Sequence, residues 1–83
     1  MSRYYVMKRK DEYWVAGPGQ RAVYSVRQAT EGDWEIIREE WDPNDEETDP
    51  TINRVNEKTY PTEKGAKTVM GRMLKPLTRQ VRY

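Results

Sequence analysis

The sequence predicts an α+β domain: a small antiparallel β-sheet of four to five strands, with one C-terminal helix packed on one face. Short segments rich in aromatic and β-branched residues alternate with turns that contain Gly or Asp, which is typical of such a sheet. A later segment repeats apolar residues at helical spacing. The chain has 83 residues, which suffices for a single domain over residues 1–83 with one modest core.

The N-terminal part of the chain is predicted to form three strands. Segments near 3–9 and 12–16 flank a polar turn and indicate a β-hairpin. Both faces of the first strand are partly apolar, so alternation alone does not identify the face that points toward the core. A turn at 17–20 precedes a third strand over 21–28.

Residues 34–41, WEIIREEW, are compatible with two structures. As a strand they would pair with 21–28 across the intervening glycine-containing turn. As a short helix capped by Asp33 they would place three apolar side chains on one side, namely Trp34, Ile37 and Trp41. We favour the strand, because a short turn with Gly is typical of a hairpin.

The C-terminal part is predicted to hold an acidic loop, a further strand and the helix. The loop covers residues 42–51 and contains no large apolar side chain, and the strand covers 52–60. The helix spans about 62–75, with Thr62 as its N-cap and Pro76 ending it.

Two glycines lie inside the predicted helix. Gly65 and Gly71 each lower helix stability by about 1 kcal/mol relative to Ala, which close approach to the sheet would explain. After the helix, residues 77–83 alternate in a way that is compatible with an additional edge strand.

The charges of the chain are strongly segregated along the sequence. Residues 31–49 hold ten of the fourteen acidic residues and a single base, Arg38, for a formal charge of −9. The other sixty-four residues carry +10, so the formal net charge of +1 hides a dipolar chain. Such asymmetry bears on binding partners rather than on fold.

Composition argues against catalysis. The chain has no Cys and no His, two residue types on which nucleophilic and acid–base catalysis often depend. The acidic loop starts like a Ca²⁺-binding EF-hand loop but lacks the Gly and the closing Glu of that motif. We therefore expect no enzyme activity, no cofactor and no metal site. Without a visible signal peptide or membrane span, the chain is expected in the cytoplasm.

The acidic segment predicts a protein-binding surface, because its carboxylates are interspersed with Trp and Ile. A charged field with aromatic anchors is typical of protein interfaces, and its partner would be a basic protein such as a nucleic-acid-binding effector complex. The alternatives are a solvated loop, or a lobe that neutralises the bases of the same chain. The candidate partner-binding residues are Glu31, Asp33, Trp34, Glu35, Ile37, Glu39, Glu40, Trp41 and Asp42.

A second functional hypothesis is single-stranded nucleic-acid binding. Aromatic rings on a sheet face can stack bases while neighbouring cations contact phosphates. In the plainer alternative the rings build the core and the cations surround it. The candidate nucleic-acid-binding residues are Tyr5, Arg9, Tyr13, Trp14, Arg21, Tyr24 and Arg27.

In size, absence of Cys, charge content and predicted architecture, the whole chain resembles the short accessory proteins of bacteriophages and other mobile elements, among them the anti-CRISPR proteins. The resemblance implies a non-enzymatic inhibitor that acts in a bacterial host cell by occupying a basic nucleic-acid-binding cleft of a Cas effector. It also implies that acidic side chains imitate phosphates, namely Glu31, Asp33, Glu35, Glu39, Glu40 and Asp42.

Overall fold

The computed structural model of the protein describes residues 5–17, 20–42, 44–45 and 47–78. Five strands form one antiparallel sheet in the order β1-β2-β3-β4-β5, and a C-terminal helix packs against it. The elements are β1 (Tyr5–Arg9), β2 (Glu12–Gly17), β3 (Gln20–Gln28), β4 (Trp34–Trp41), β5 (Thr51–Tyr60) and α1 (Glu63–Thr78). This arrangement confirms the predicted α+β fold.

Each strand pairs with the next one along the chain. The β1–β2 turn consists of two residues, Lys10 and Asp11, with Lys10 at a φ of 55°. The β3–β4 turn includes Gly32 at a φ of 99°, a conformation that Gly adopts easily. The segment with two possible structures is therefore strand β4, as favoured from the sequence.

The core lies between α1 and one face of the sheet. It is built from the buried side chains of Val6, Val15, Ile36, Tyr60, Ala66, Met70 and Leu74. Val6 and Val15 are opposite one another in the ladder, which fixes the phase that the sequence of the first hairpin left open. Burial of each large apolar side chain is worth about 1.5–3 kcal/mol, so this layer is the main source of stability.

Helix α1 begins as predicted and ends later than predicted. The Thr62 hydroxyl accepts a hydrogen bond from the backbone N–H of Gly65 at 3.0 Å, so Thr62 is the N-cap. Pro76 does not end the helix, which continues to Thr78. Because Pro76 lies in the last turn, its missing N–H removes one hydrogen bond while its fixed φ remains compatible with a helix. Of the proposed tail strand, 77–78 are helical and 79–83 lie outside the described residues.

The two helix glycines have different surroundings. A Cβ on Gly71 would lie 3.6 Å from the hydroxyl oxygen of Tyr13, an ordinary contact distance. A Cβ on Gly65 would lie 2.9 Å from the Thr62 hydroxyl oxygen, within the helix N-cap and not against the sheet. Close approach to the sheet therefore does not explain Gly65.

Strand β5 is interrupted halfway along its length. Between the pairs Glu35–Thr59 and Ile37–Arg54, one residue of β4 faces four residues of β5. Within this bulge Asn56 and Glu57 take positive φ values of 63° and 49°. The outer edge of β5 is therefore irregular.

The sheet face opposite α1, which we call the open face, is not covered by any element in the described ranges. Strand alternation assigns its side chains relative to the core residues on the other face. The open face carries Tyr5, Met7, Arg9, Glu12, Trp14, Ala16, Arg21, Val23, Ser25, Arg27, Glu35, Ile37, Glu39, Trp41, Ile52, Arg54 and Thr59.

Candidate protein-binding surface

An apolar row crosses the open face. Met7, Trp14, Val23, Glu39 and Ile52 are successive neighbours across the five strands, so a single carboxylate interrupts the row. Val23 is buried, whereas Met7 is 57% exposed and Ile52 is 49% exposed. The exposed apolar side chains of the row are therefore at its two ends, on the outermost strands β1 and β5.

One corner of the open face is acidic. Loop 42–50 connects β4 to β5 there, and among the described residues none of its carboxylates forms an ion pair. Glu39 has no ion-pair partner in the described ranges either, and it lies beside Ile52 in the ladder. We call this group the acidic corner: Glu39, Trp41, Asp42, Asp45, Glu47, Asp49 and Ile52.

Hydrogen bonds hold two carboxylates of the loop in place. Asp42 Oδ1 accepts from the backbone N–H of Asn44 at 2.9 Å. Asp45 accepts from the Thr48 hydroxyl and, at 3.2 Å, from the backbone N–H of Glu47. The Thr48 hydrogen bond, and next the one from Glu47, hold the pKa of Asp45 below its ordinary value. Asp45 is therefore charged at any pH near neutrality.

The opposite end of β4 is electrically compensated. Glu35, which is only 5% exposed, pairs with Arg27 and with Arg54, each at 3.2 Å. Arg54 also pairs with the exposed Glu31 at 2.9 Å. The hydrogen bond from Arg54 holds the pKa of Glu31 below its ordinary value. These carboxylates are already bound to cations and offer little free charge to a partner.

The structure corrects the grouping of the acidic candidates into one surface. Alternation in β4 places Trp34 and Glu40 on the helix-covered face, where Trp34 packs against the core and Glu40 pairs with Arg38. Glu35 and Ile37 are on the open face but buried. Glu35 and Ile37 cannot contact a partner without rearrangement because they are buried, and Trp34 and Glu40 lie on the other face of the sheet, so none of the four belongs to a surface shared with Glu39.

The remaining acidic candidates lie at two ends of the sheet. Glu31 and Asp33 belong to the β3–β4 turn, while Asp42 follows the other end of β4. The eight residues of β4 lie between Asp33 and Asp42, and at about 3.3 Å per residue the two carboxylates are about 30 Å apart along the strand. Of the nine candidates, Glu39, Trp41 and Asp42 lie together at the acidic corner.

The nucleic-acid candidates are also divided by alternation. Tyr13 and Tyr24 lie on the helix-covered face and pack against the core, and the Tyr24 hydroxyl accepts a hydrogen bond from Arg38 at 3.0 Å. Arg27 is paired with Glu35. The structure brings the other residues of this set, together with Arg27, onto the open face: Tyr5, Arg9, Trp14 and Arg21.

Two exposed apolar residues were missed by sequence reasoning. Met7 and Ile52 were not selected, because a lone Met or Ile in a strand normally belongs to the core. Once Val6 is known to face the core, alternation places Met7 on the other face. The irregularity of β5 hides the equivalent signal for Ile52.

The described residues contain no group of three or more acidic side chains placed to hold a metal ion. No helix in that part of the chain has the length and apolar content needed to cross a membrane. Comparisons with protein-family models, with curated proteins and with solved structures found no match.

Proposed function

We propose that this protein is a non-catalytic binding protein that docks its acidic corner onto a basic surface of another protein. The observation that supports the proposal is the combination of carboxylates without ion-pair partners in the described ranges and exposed or partly exposed apolar side chains beside them. Ile52 is 49% exposed and Trp41 is partly exposed. Carboxylates without counter-ions attract a cationic partner, and Trp and Ile supply apolar contact area.

The chemistry of the corner favours a protein over nucleic acid as the partner. Phosphates would be repelled by the carboxylates of loop 42–50 and of Glu39, because none of these carboxylates forms an ion pair among the described residues. Ile52 and Trp41 of the corner together suit an apolar pocket on a protein. The cationic residues of the partner would surround that pocket.

The proposed role is to inhibit the partner by occupying its basic cleft. A basic cleft that normally holds a phosphate backbone also attracts a fixed array of carboxylates, and an apolar anchor slows dissociation once the two surfaces meet. A partner that handles nucleic acid would thereby lose access to its substrate. This is the inhibitory role that the resemblance to anti-CRISPR proteins implies, assigned here to a smaller surface.

The first prediction concerns where the binding charge lies. The double variant Glu47→Lys/Asp49→Lys should weaken binding by at least about tenfold, because both exposed carboxylates belong to the acidic corner. The matched control Asp33→Lys/Glu57→Lys makes the same change in net charge at other exposed positions and should bind as the native protein does. Affinities are measured by calorimetry against a basic protein captured from bacterial lysate.

Three further measurements decide the outcome. Ile52→Ala should also weaken binding, since it removes the apolar contact, and added salt should weaken it because the corner is charged. Equal affinity of the two double variants would refute the acidic corner as the site. Circular dichroism verifies that every variant retains the native fold.

Nucleic-acid binding by the open face is the competing outcome. In that case the native protein would shift single-stranded DNA in an electrophoretic assay at low salt. Arg21→Glu would abolish the shift, and Glu47→Lys/Asp49→Lys would strengthen it. That pattern would replace the proposed function, whereas absence of any shift would eliminate the alternative.

A further inference from the structure

The outer edge of β1 has no partner among the described residues. β1 is the first strand of the sheet order, so its outward backbone groups face away from β2. Two of the three most exposed large apolar residues, Tyr5 at 59% and Met7 at 57%, lie on this strand. A free strand edge flanked by exposed apolar side chains is a template for pairing with another strand.

The hairpin geometry identifies which backbone groups are free. The two-residue turn makes Arg9 and Glu12, which are opposite each other, a hydrogen-bonded pair. Hydrogen-bonded and non-hydrogen-bonded pairs alternate along an antiparallel ladder, so Met7 also bonds toward β2. The N–H and C=O groups of Val6 and Lys8 therefore point outward from the sheet.

We propose that a second copy of this chain pairs antiparallel with this edge, with Met7 at the twofold axis, so that two sheets join into one of ten strands. In this register Val6 of one copy is opposite Lys8 of the other, and all their outward backbone groups are satisfied. Met7 faces Met7 of the second copy. The proposal does not depend on the function proposed above.

The register with Met7 on the twofold axis is favoured over the registers with Lys8 or Val6 on the axis. With Met7 on the axis, Arg9 of each copy lies opposite the exposed ring of Tyr5 of the other, an arrangement that permits a cation–π contact. With Lys8 on the axis, Lys8 would directly oppose its own copy, which is destabilising. With Val6 on the axis, Arg9 would extend beyond the described part of the other strand.

The basic charge of β1 determines how the dimer responds to salt. Lys8 of the two copies would be diagonal neighbours across the seam, and diagonal residues lie about 7–8 Å apart. Salt screens this repulsion over such distances. The dimer should therefore become tighter at higher ionic strength, whereas docking of the acidic corner onto a basic protein should become weaker.

A cysteine placed on the axis provides the test. Directly opposed residues of a non-hydrogen-bonded pair have Cα atoms about 4.5 Å apart, within the range that a disulfide spans. The chain has no native Cys, so a single substitution gives an unambiguous product. Met7→Cys should form a covalent dimer under mild oxidation, and the matched variant Ile52→Cys, on the same face at the other side of the sheet, should not.

Sedimentation of the protein without cysteine completes the experiment. The native chain should shift from monomer toward dimer mass as concentration rises from low micromolar to near millimolar, and more strongly in high salt. Met7→Glu should raise the dimer dissociation constant by at least about tenfold, while Ile52→Glu should leave it unchanged. Lys8→Pro removes one outward N–H without touching the β1–β2 ladder and should have the same effect as Met7→Glu.

The proposal would be overturned by a native chain that sediments as a monomer under all these conditions, or by equal cross-linking of the Met7→Cys and Ile52→Cys variants. Equal loss of dimer in Met7→Glu and Ile52→Glu would likewise overturn it, because it would indicate stacking of two open faces. Loss of partner binding in Ile52→Glu with an intact dimer would separate this proposal from the proposed function.

Discussion

At the scale of single residues, Arg54 neutralises two carboxylates at one end of the sheet. Its guanidinium donates to the exposed Glu31 at 2.9 Å and to the buried Glu35 at 3.2 Å. Glu35 is also bound by Arg27 on β3. Because these residues are distant in sequence and meet only through strand pairing, their mutual neutralisation could not be foreseen from the charge run.

Arg54 also determines the second prediction, which concerns pH. Its hydrogen bond lowers the pKa of Glu31 from the ordinary value of 4.5. A carboxyl whose pKa is lower in the folded state than in the unfolded state stabilises the fold at pH values above the unfolded-state pKa. This stabilisation is lost as the pH falls through the folded-state pKa. In Arg54→Gln the pKa of Glu31 should therefore rise toward 4.5, as measured by carboxyl NMR titration.

The control for that titration is Arg21→Gln. It removes the same charge from the open face, but Arg21 has no ion pair with Glu31 among the described contacts. The pKa of Glu31 should remain low in this variant. If Arg54→Gln and Arg21→Gln move it equally, the lowering arises from the general positive field and not from the observed hydrogen bond.

At the scale of elements, the two helix glycines give the third prediction. Gly71→Ala should increase the free energy of unfolding by about 0.5–1 kcal/mol, because Ala favours a helix more than Gly does. The new methyl would fit, since it would lie 3.6 Å from the Tyr13 hydroxyl oxygen. Gly65→Ala should stabilise less or destabilise, because its methyl would displace the Thr62 cap, 2.9 Å away. Urea denaturation measures both.

A loss of stability in Gly71→Ala would contradict this prediction and would mean that the helix lies closer to Tyr13 than described. A gain of the same size in both variants would show that the Thr62 hydroxyl can move aside at no cost. Comparison of Gly65→Ala with Gly71→Ala thus distinguishes the effect of helix propensity on stability from the effect of local packing.

The elements themselves were largely predictable, because each carries a local signal. Helix α1 has a regular apolar period and a capping threonine, and β1 to β4 have β-branched or aromatic residues between short turns. The continuation of α1 past Pro76 and the bulge around Asn56 were not predictable. Both depend on tertiary packing, which can override local preference.

At the scale of the whole molecule, segregation of charge in the sequence is not segregation in space. The acidic segment extends from the β3–β4 turn to the β4–β5 loop, so it runs the full length of the sheet and contributes to both faces. The candidate site was therefore predicted only in part. Strand alternation together with register selects Glu39, Trp41 and Asp42 and adds Ile52.

The fourth prediction follows from the separation of the two proposed contacts. The dimer seam lies along β1 and the acidic corner lies at the β4–β5 side of the sheet. A dimer cross-linked through Met7→Cys should therefore bind two partner molecules, each with the affinity of the monomer. Light scattering of the complex measures the stoichiometry, and one partner per cross-linked dimer would contradict the separation.

The two edge strands of the sheet differ in regularity, and this difference limits how many copies of the chain could join edge to edge. If both outer strands were straight, copies could add to each end without limit and produce fibres. Asn56 and Glu57 lie in the bulge of β5, so a further strand would not find a regular row of backbone hydrogen-bonding groups along this edge. Straightening β5 by removing the extra residues should therefore let copies of the proposed dimer add to one another through β5 and aggregate.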